Sequence, residues 1–146
     1  MAIKAIPDGY HSVTPYLIVK GAAQLIDFMK EAFGAEEEYR MPGGGGIMHA
    51  VVRIGDSRVM MSDAMAEYGP MPTMLYLYVP DVDAVYKRAL QAGATSIMEL
   101  QDQFWGDRTG AVKDTLGNVW WIATHVEDVS FEELERRQRE MASQHA

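Results

Sequence analysis

The side chains able to do chemistry in this chain are few and widely spaced. With no cysteine present, thiolate nucleophiles, thiolate metal sites and disulfides are all excluded. Of four histidines, two fall inside segments with strand patterning, His49 and His125. An imidazole serves as metal ligand, proton carrier or polar contact, but no Ser-His-Asp arrangement can be argued from the hydroxyls around these rings. The run QDQFWGDR (101–108) is richer. Trp105 offers a stacking surface, Arg108 a fixed cation, and Asp107 a carboxylate to accept a proton or orient the arginine. The same Asp-Arg pair beside a glycine also suits the bracing of a loop. The glycines from Gly43 to Gly46 lack the Lys-Ser/Thr of a phosphate-binding loop, and no glycine-rich fingerprint follows a first strand, so nucleotide cofactors have no motif here.

Composition narrows the classes further. The 146 residues are 48% hydrophobic, enough for a core without disulfide staples. Thirteen basic against 21 acidic side chains give a net charge of −8, which repels phosphate backbones and disfavours nucleic acid as a partner. The longest apolar runs, such as Met74 to Val79, fall far short of the roughly 20 residues of a membrane span. The opening MAIKAIPDGYHS is broken by Pro7, Asp8 and Gly9 and lacks the apolar stretch of a signal peptide, so a cytoplasmic protein is expected.

The elements that must position these residues recur when residue n is laid over residue n+60. The repeated order is strand, helix, strand, strand, strand. In the first copy Val13 to Val19 is extended, and Ala22, Leu25, Ile26, Met29, Ala32 and Phe33 follow at helical spacing up to Gly34. In the second, Met74 to Val79 precedes a helix that Asp81 can cap and Gly93 closes, with Val82, Val85, Ala89 and Leu90 on one stripe. Each helix leads through Gly-Ala into EEEYRM or TSIMEL. Two further strands follow each, IMHAVVRI with RVMMSD, then TGAVKD with VWWIATHV, joined by tight turns. The expected fold is therefore α+β, one domain of two βαβββ modules, 13–65 and 73–127, with a linker at 66–72. Residues 128–146 form a C-terminal helix opened by the capping-box pair Ser130 and Glu133.

Alternation along the opening strands assigns the faces. Leu75, Leu77 and Val79 share one side, suited to packing under a helix, and Met74, Tyr76 and Tyr78 share the other. Likewise Pro15, Leu17 and Val19 oppose Thr14, Tyr16 and Ile18. Two such sheets side by side form a curved mixed sheet, a cup lined by aromatic, methionine and hydroxyl side chains that suits a partly apolar small molecule. A tight turn near Gly55-Asp56 or Asp56-Ser57 sets Met61 on the face of Ala50 and Val52 and leaves His49 on the opposite one.

The paired modules, the opening TPYLIVKGAAQLIDFMKEAFGAEE, the hairpin MHAVVRIGDSRVMMSD and the late stretch LQDQFWGDRTGAVKDTLGNVWWIATHVEDVS resemble the PhnB-like branch of the vicinal oxygen chelate superfamily. That superfamily includes glyoxalase I, bleomycin-resistance proteins and extradiol dioxygenases. The resemblance implies a homodimer and a cup that, in the enzymes, holds one divalent ion with His or Glu on the first and last strand of each module. Carried onto this chain, those four positions are Thr14, Met61, Met74 and Trp121, with Pro15, Met60, Thr73 and Trp120 as neighbours. None is a credible ligand for a hard or borderline cation. The expectation is thus a small-molecule cup with no metal and no cofactor, in which Tyr16, Tyr76, Trp105 and Trp121 enclose the ligand. Thr14, His49 and Arg108 would supply polar contacts, and Met61 and Met74 would line the wall. The alternative is a glyoxalase-type lyase or isomerase, or a dioxygenase, with a divalent ion at a non-standard site through His49 or His125. A third possibility is that side chains fill the cup and the domain serves assembly.

Overall fold

A computed structural model describes residues 2–144 and shows two βαβββ modules followed by a helix. The first module comprises β1 (Tyr16–Val19), α1 (Ala22–Phe33), β2 (Glu36–Gly43), β3 (Gly46–Ile54) and β4 (Ser57–Asp63). The second comprises β5 (Met74–Tyr78), α2 (Val82–Gln91), β6 (Thr95–Asp102), β7 (Asp107–Lys113) and β8 (Val119–His125), and α3 (Phe131–Gln144) ends the described chain. The sheets repeat one topology, β1-β4-β3-β2 and β5-β8-β7-β6, with the first strand of each parallel to the last and the other pairs antiparallel.

The apolar stripe read from the sequence is the buried side of α1: Ala22, Leu25, Ile26, Met29 and Ala32 are fully buried. Gly34 closes that helix in the left-handed region at φ 67°. The starts of the two helices are held in a way that only the fold discloses. Gly21, at the N-cap of α1, has no side chain to offer, and Asp63 at the end of β4 takes over. Its Oδ1 accepts from the amides of Gly21 (2.9 Å) and Ala22 (2.8 Å), and its Oδ2 accepts from that of Ile47 (2.7 Å). The equivalent end of β8 supplies Thr124, whose hydroxyl accepts from the Val82 amide at 2.8 Å and donates to the Val79 carbonyl at 2.8 Å. Asp81 adds its own cap to α2. Each module thus ties its helix to the last strand of its own sheet, satisfying amides that would otherwise be orphaned.

Register decides the faces. The two-residue turn Gly55-Asp56 pairs Ala50 with Met61 and Val52 with Val59, while β1 sets Leu17 beside Met61. These residues lie under α1, all at 4% exposure or less. In the second module Leu75 pairs with Trp120 and Leu77 with Ile122, again on the helix side. The modules meet through these covered sides. Helix α1 packs on α2, Phe33 lies 4.7 Å from Trp120 between ring centroids, and one core runs through both modules. The opposite faces of both sheets look away from that shared core. Helix α3 buries no side chain among the described residues and is tied down by Arg137, which donates to Glu127, Glu133 and the Phe104 carbonyl. Among the described residues no helix is long and apolar enough to cross a membrane.

Candidate functional site

The open face of the second sheet is built from small residues ringed by large ones. Thr109, Ala111 and Ala123 form a fully buried floor. Around them stand Tyr76, Tyr78, Trp105 and Trp121, with Tyr76 at 43% and Tyr78 at 59% exposure. Tyr76 and Trp121 sit on paired positions of neighbouring strands and are nearly parallel, 13° and 6.1 Å apart. The ring of Tyr78 lies 5.3 Å from that of Tyr76.

At the rim of this floor one carboxylate gathers the polar ends of the rings. Asp107 is 1% exposed. Its Oδ2 accepts from the hydroxyls of Tyr76 (2.7 Å) and Tyr78 (2.8 Å) and from the indole N–H of Trp105 (3.1 Å). Its Oδ1 pairs with Nδ1 of His125 at 2.8 Å, and Nε2 of that imidazole meets Asp128 at 2.7 Å. Burial alone would raise the Asp107 pKa, but the bonds from His125, Tyr76, Tyr78 and Trp105 together outweigh it and hold the carboxyl below its usual range. Conversely, burial and then the Asp107 bond push the Tyr76 phenol well above its ordinary value, while for Tyr78 the Asp107 bond is the leading cause. His125 is shifted upward by Asp107 first and Asp128 second. Near neutrality the tyrosines therefore keep their protons and Asp107 keeps its charge.

Trp105 reaches this cluster because its loop is pinned. Gly106 adopts φ 99°, and its carbonyl accepts from the amides of Val126 (2.8 Å) and Glu127 (3.1 Å). A Cβ at Gly106 would run into the Glu127 carbonyl oxygen, so only glycine lets the two segments approach this closely.

The first sheet offers a different open face. Tyr16 hydrogen-bonds through its hydroxyl to Nδ1 of His49 at 3.1 Å, and the imidazole lies between the rings of Tyr16 and Tyr39. The linker after β4 folds over this side, with Met71 bridging to Ile18, and a groove of about 400 Å³ opens between Tyr16, Ile18, Ser62, Met65, Tyr68 and Met71. Thr14 lies just before β1. Met74 stands at the start of β5, 65% exposed.

Two residues expected in the cup lie elsewhere. Met61 is fully buried under α1, because the Gly55-Asp56 turn commits it to the face of Ala50 and Val52, and Met60 takes the open side. Arg108 alternates with Asp107 along β7 and so faces the helix, where it pairs with Asp83 at 2.7 Å and Asp102 at 3.3 Å. It braces β6 and α2 and does not reach the open face, and Asp107 does not orient it. Three residues join the cluster that the expected contact set omitted: Tyr78, Asp107 and His125. The alternation of Tyr76 with Tyr78 signalled the first, whereas Asp107 meets His125 only through the β7–β8 register.

The donors at the corrected metal positions, Thr14, Met60, Met74 and Trp121, do not fit a divalent ion. A thioether is too soft, an indole donates only, and a lone hydroxyl is too weak. His49 and His125 lie on different sheets, and no group of three or more His, Asp or Glu side chains among the described residues is arranged to hold a metal.

This architecture defines a class, and sequence comparison names it. Residues 9–122 match the model of the Glyoxalase/Bleomycin resistance protein/Dioxygenase superfamily, and the chain belongs to that superfamily. An uncharacterized protein of Mycobacterium bovis is 39% identical over 147 residues, covering 92% of this chain and 94% of its own length. TioX from a Micromonospora species superposes with a TM-score of 0.69 at 28% identity, over 80% of this chain and 99% of TioX. TnmS3, an antibiotic binding protein from a Streptomyces species, shares the fold with a TM-score of 0.63 at 23% identity, over 86% of this chain and 98% of its own. A PhnB protein from Bacillus cereus does so with a TM-score of 0.61 at 19% identity, over 78% and 99% respectively.

Proposed function

We propose that this protein is a PhnB-like member of its superfamily that binds a small, partly aromatic organic molecule in a metal-free cup. The observation that carries this reading is the open face of the second sheet. There Tyr76, Tyr78, Trp105 and Trp121 crowd round a floor of small side chains, and their polar ends are already committed inward to Asp107, apart from the Trp121 N–H. Broad rings exposed at this density are costly for a free surface and well suited to enclosing a flat ligand. TnmS3, an antibiotic binding protein of the same fold, gives a precedent for small-molecule binding.

The cup is completed by a second copy of the chain. The two open faces of one chain look away from the core that joins its modules. Among the described residues strand β5 has β8 on one side and no strand on the other, so its outer edge is free to lie beside the first module of a partner. In this arrangement Tyr16 and His49 of one protomer face Tyr76 and Trp121 of the other across the ligand.

Two measurements test the reading. Elemental analysis of protein purified without chelator or metal-affinity resin should show no stoichiometric manganese, iron, nickel or zinc. A bound equivalent of any of them would favour a glyoxalase- or dioxygenase-type reaction at a non-standard site. In a thermal-shift screen of planar aromatic compounds, hits on the wild type should lose about tenfold or more in affinity in Trp121→Ala, the scale of a base or ring stacking contact. Unchanged shifts across the screen would return the domain to an assembly role.

A further inference from the structure

We infer that the ligand of this cup is a planar aromatic cation, recognised by the faces of Tyr76, Tyr78, Trp105 and Trp121 beside the buried carboxylate of Asp107. The inference rests on the small-molecule reading above and names the class of molecule it takes.

The hydrogen-bond inventory is the first support. The protons of the Tyr76 and Tyr78 hydroxyls and of the Trp105 indole all point at Asp107. What these three rings present outward is therefore phenol lone pairs and π-faces, which are negative, and no donor. Of the four rings only Trp121 keeps an N–H uncommitted to this carboxylate. On this half of the cup the donors left for an acceptor-rich or anionic ligand are the Trp121 N–H and the Gln103 amide, which already donates to the Thr109 hydroxyl at 2.8 Å. A ligand that carries positive charge meets several ring faces at once.

Net charge is the second support. The anion of Asp107 is 1% exposed and is not cancelled locally. His125, even as imidazolium, is shared between Asp107 and Asp128, so the trio retains one negative charge. Arg108 points through to the helix face and is consumed by Asp83 and Asp102. Arg137, the other guanidinium near the Trp105 loop, is held by Glu127 and Glu133. Both guanidinium groups near Asp107 are thus paired, Lys113 stands on this same face only at the far end of β7, and the chain as a whole carries −8. A cation over the rings is favoured at short range by their faces and at longer range by the carboxylate held at their polar edge, an anion is repelled, and a neutral isostere gains only the stacking.

The test uses three probes of one shape: N-methylacridinium, acridine, and acridine-9-carboxylate, at about pH 8 where they are cationic, neutral and anionic. Binding is followed by quenching of tryptophan fluorescence and by calorimetry on the full chain. The cation should bind about tenfold or more tighter than acridine, within the range of a desolvated cation–π contact, and the anion most weakly. In Asp107→Asn that ratio should fall to about threefold or less, while Arg108→Ala, altered on the far face of the sheet, should keep it. Equal affinity for cation and neutral probe, or preference for the anion, overturns the inference and leaves the aromatic cup standing. Full preference in a folded Asp107→Asn also overturns it. Failure of all three probes to bind at millimolar concentration overturns both. Should Asp107→Asn not fold, the wild-type ratio alone decides.

Discussion

Asp107 and His125 show how a single register contact changes what two residues can do. Apart, each is an ordinary polar side chain on a strand end, but paired across β7 and β8 they lock a carboxylate, an imidazole and three aromatic donors into one network. Its pH dependence follows from the shifts. The pKa of His125 is raised on folding, so its contribution to stability is fully present below the unfolded value of about 6.5 and is lost as pH rises through the higher folded value. That of Asp107 is lowered, so its contribution is present above about 3.8 and is lost as pH falls below it. In urea unfolding, His125→Gln should therefore be less stable than wild type at about pH 5.5, with the two curves drawing together by about pH 9. A gap that widens toward alkaline pH would contradict the assignment.

At the scale of elements, the helices are anchored by the ends of their own sheets. Asp63 serves three amides at once, and burial of its carboxyl is outweighed by the bonds from Ile47, Ala22 and Gly21. Asp63→Ala should cost about 2–3 kcal/mol in chemical unfolding, since it strips a charge-assisted cap and leaves amides unsatisfied. Asp63→Asn should recover part of that loss. A cost within about 0.5 kcal/mol, the level of an ordinary surface substitution, would show that water replaces the carboxylate freely. Gly46 belongs to the same device. Its bare Cα lets Asp63 come close, and a Cβ there would collide with the carboxylate oxygen. Helix α3 acts at a distance through Arg137, which holds the Phe104 carbonyl at 3.0 Å and so steadies the loop that carries Trp105. Arg137→Ala should weaken ligand binding while leaving the thermal midpoint of the core within a few degrees, because α3 buries no side chain of its own among the described residues.

For the whole molecule, the decisive feature is that the two modules share one core through their helix sides and turn their open faces outward. Light scattering coupled to gel filtration should return a dimer at micromolar concentration. A charged substitution at an exposed position of β5, the edge strand of the second sheet, Met74→Lys, should lower the dimer fraction and the ligand affinity together. A monomer that binds ligand as tightly as the wild type would separate the cup from the dimer.

The repeat of strand, helix and three strands, the helix stripes, the glycine stops and the alternation of Tyr76 and Tyr78 with Leu75 and Leu77 were all legible in the amino-acid sequence, because local periodicity reports which side of an element is buried. The same periodicity already paired Met61 with Ala50 and Val52. What it lacked was which of the two faces those residues cover, since a face is defined only by what packs on it. Arg108 departs from its expected place for a related reason: neighbours in a strand point to opposite sides, so Asp107 and Arg108 do not share a site once β7 is in place. Sequence alone determined two modules, their helix-covered strands and an absence of metal-binding side chains at the family's positions. Only tertiary structure brought Tyr76, Tyr78, Trp105 and His125 onto one buried carboxylate, because Tyr76, Tyr78 and His125, 18 to 31 positions from Asp107, meet it through strand pairing, and Trp105, two positions away, turns back to it through a pinned loop.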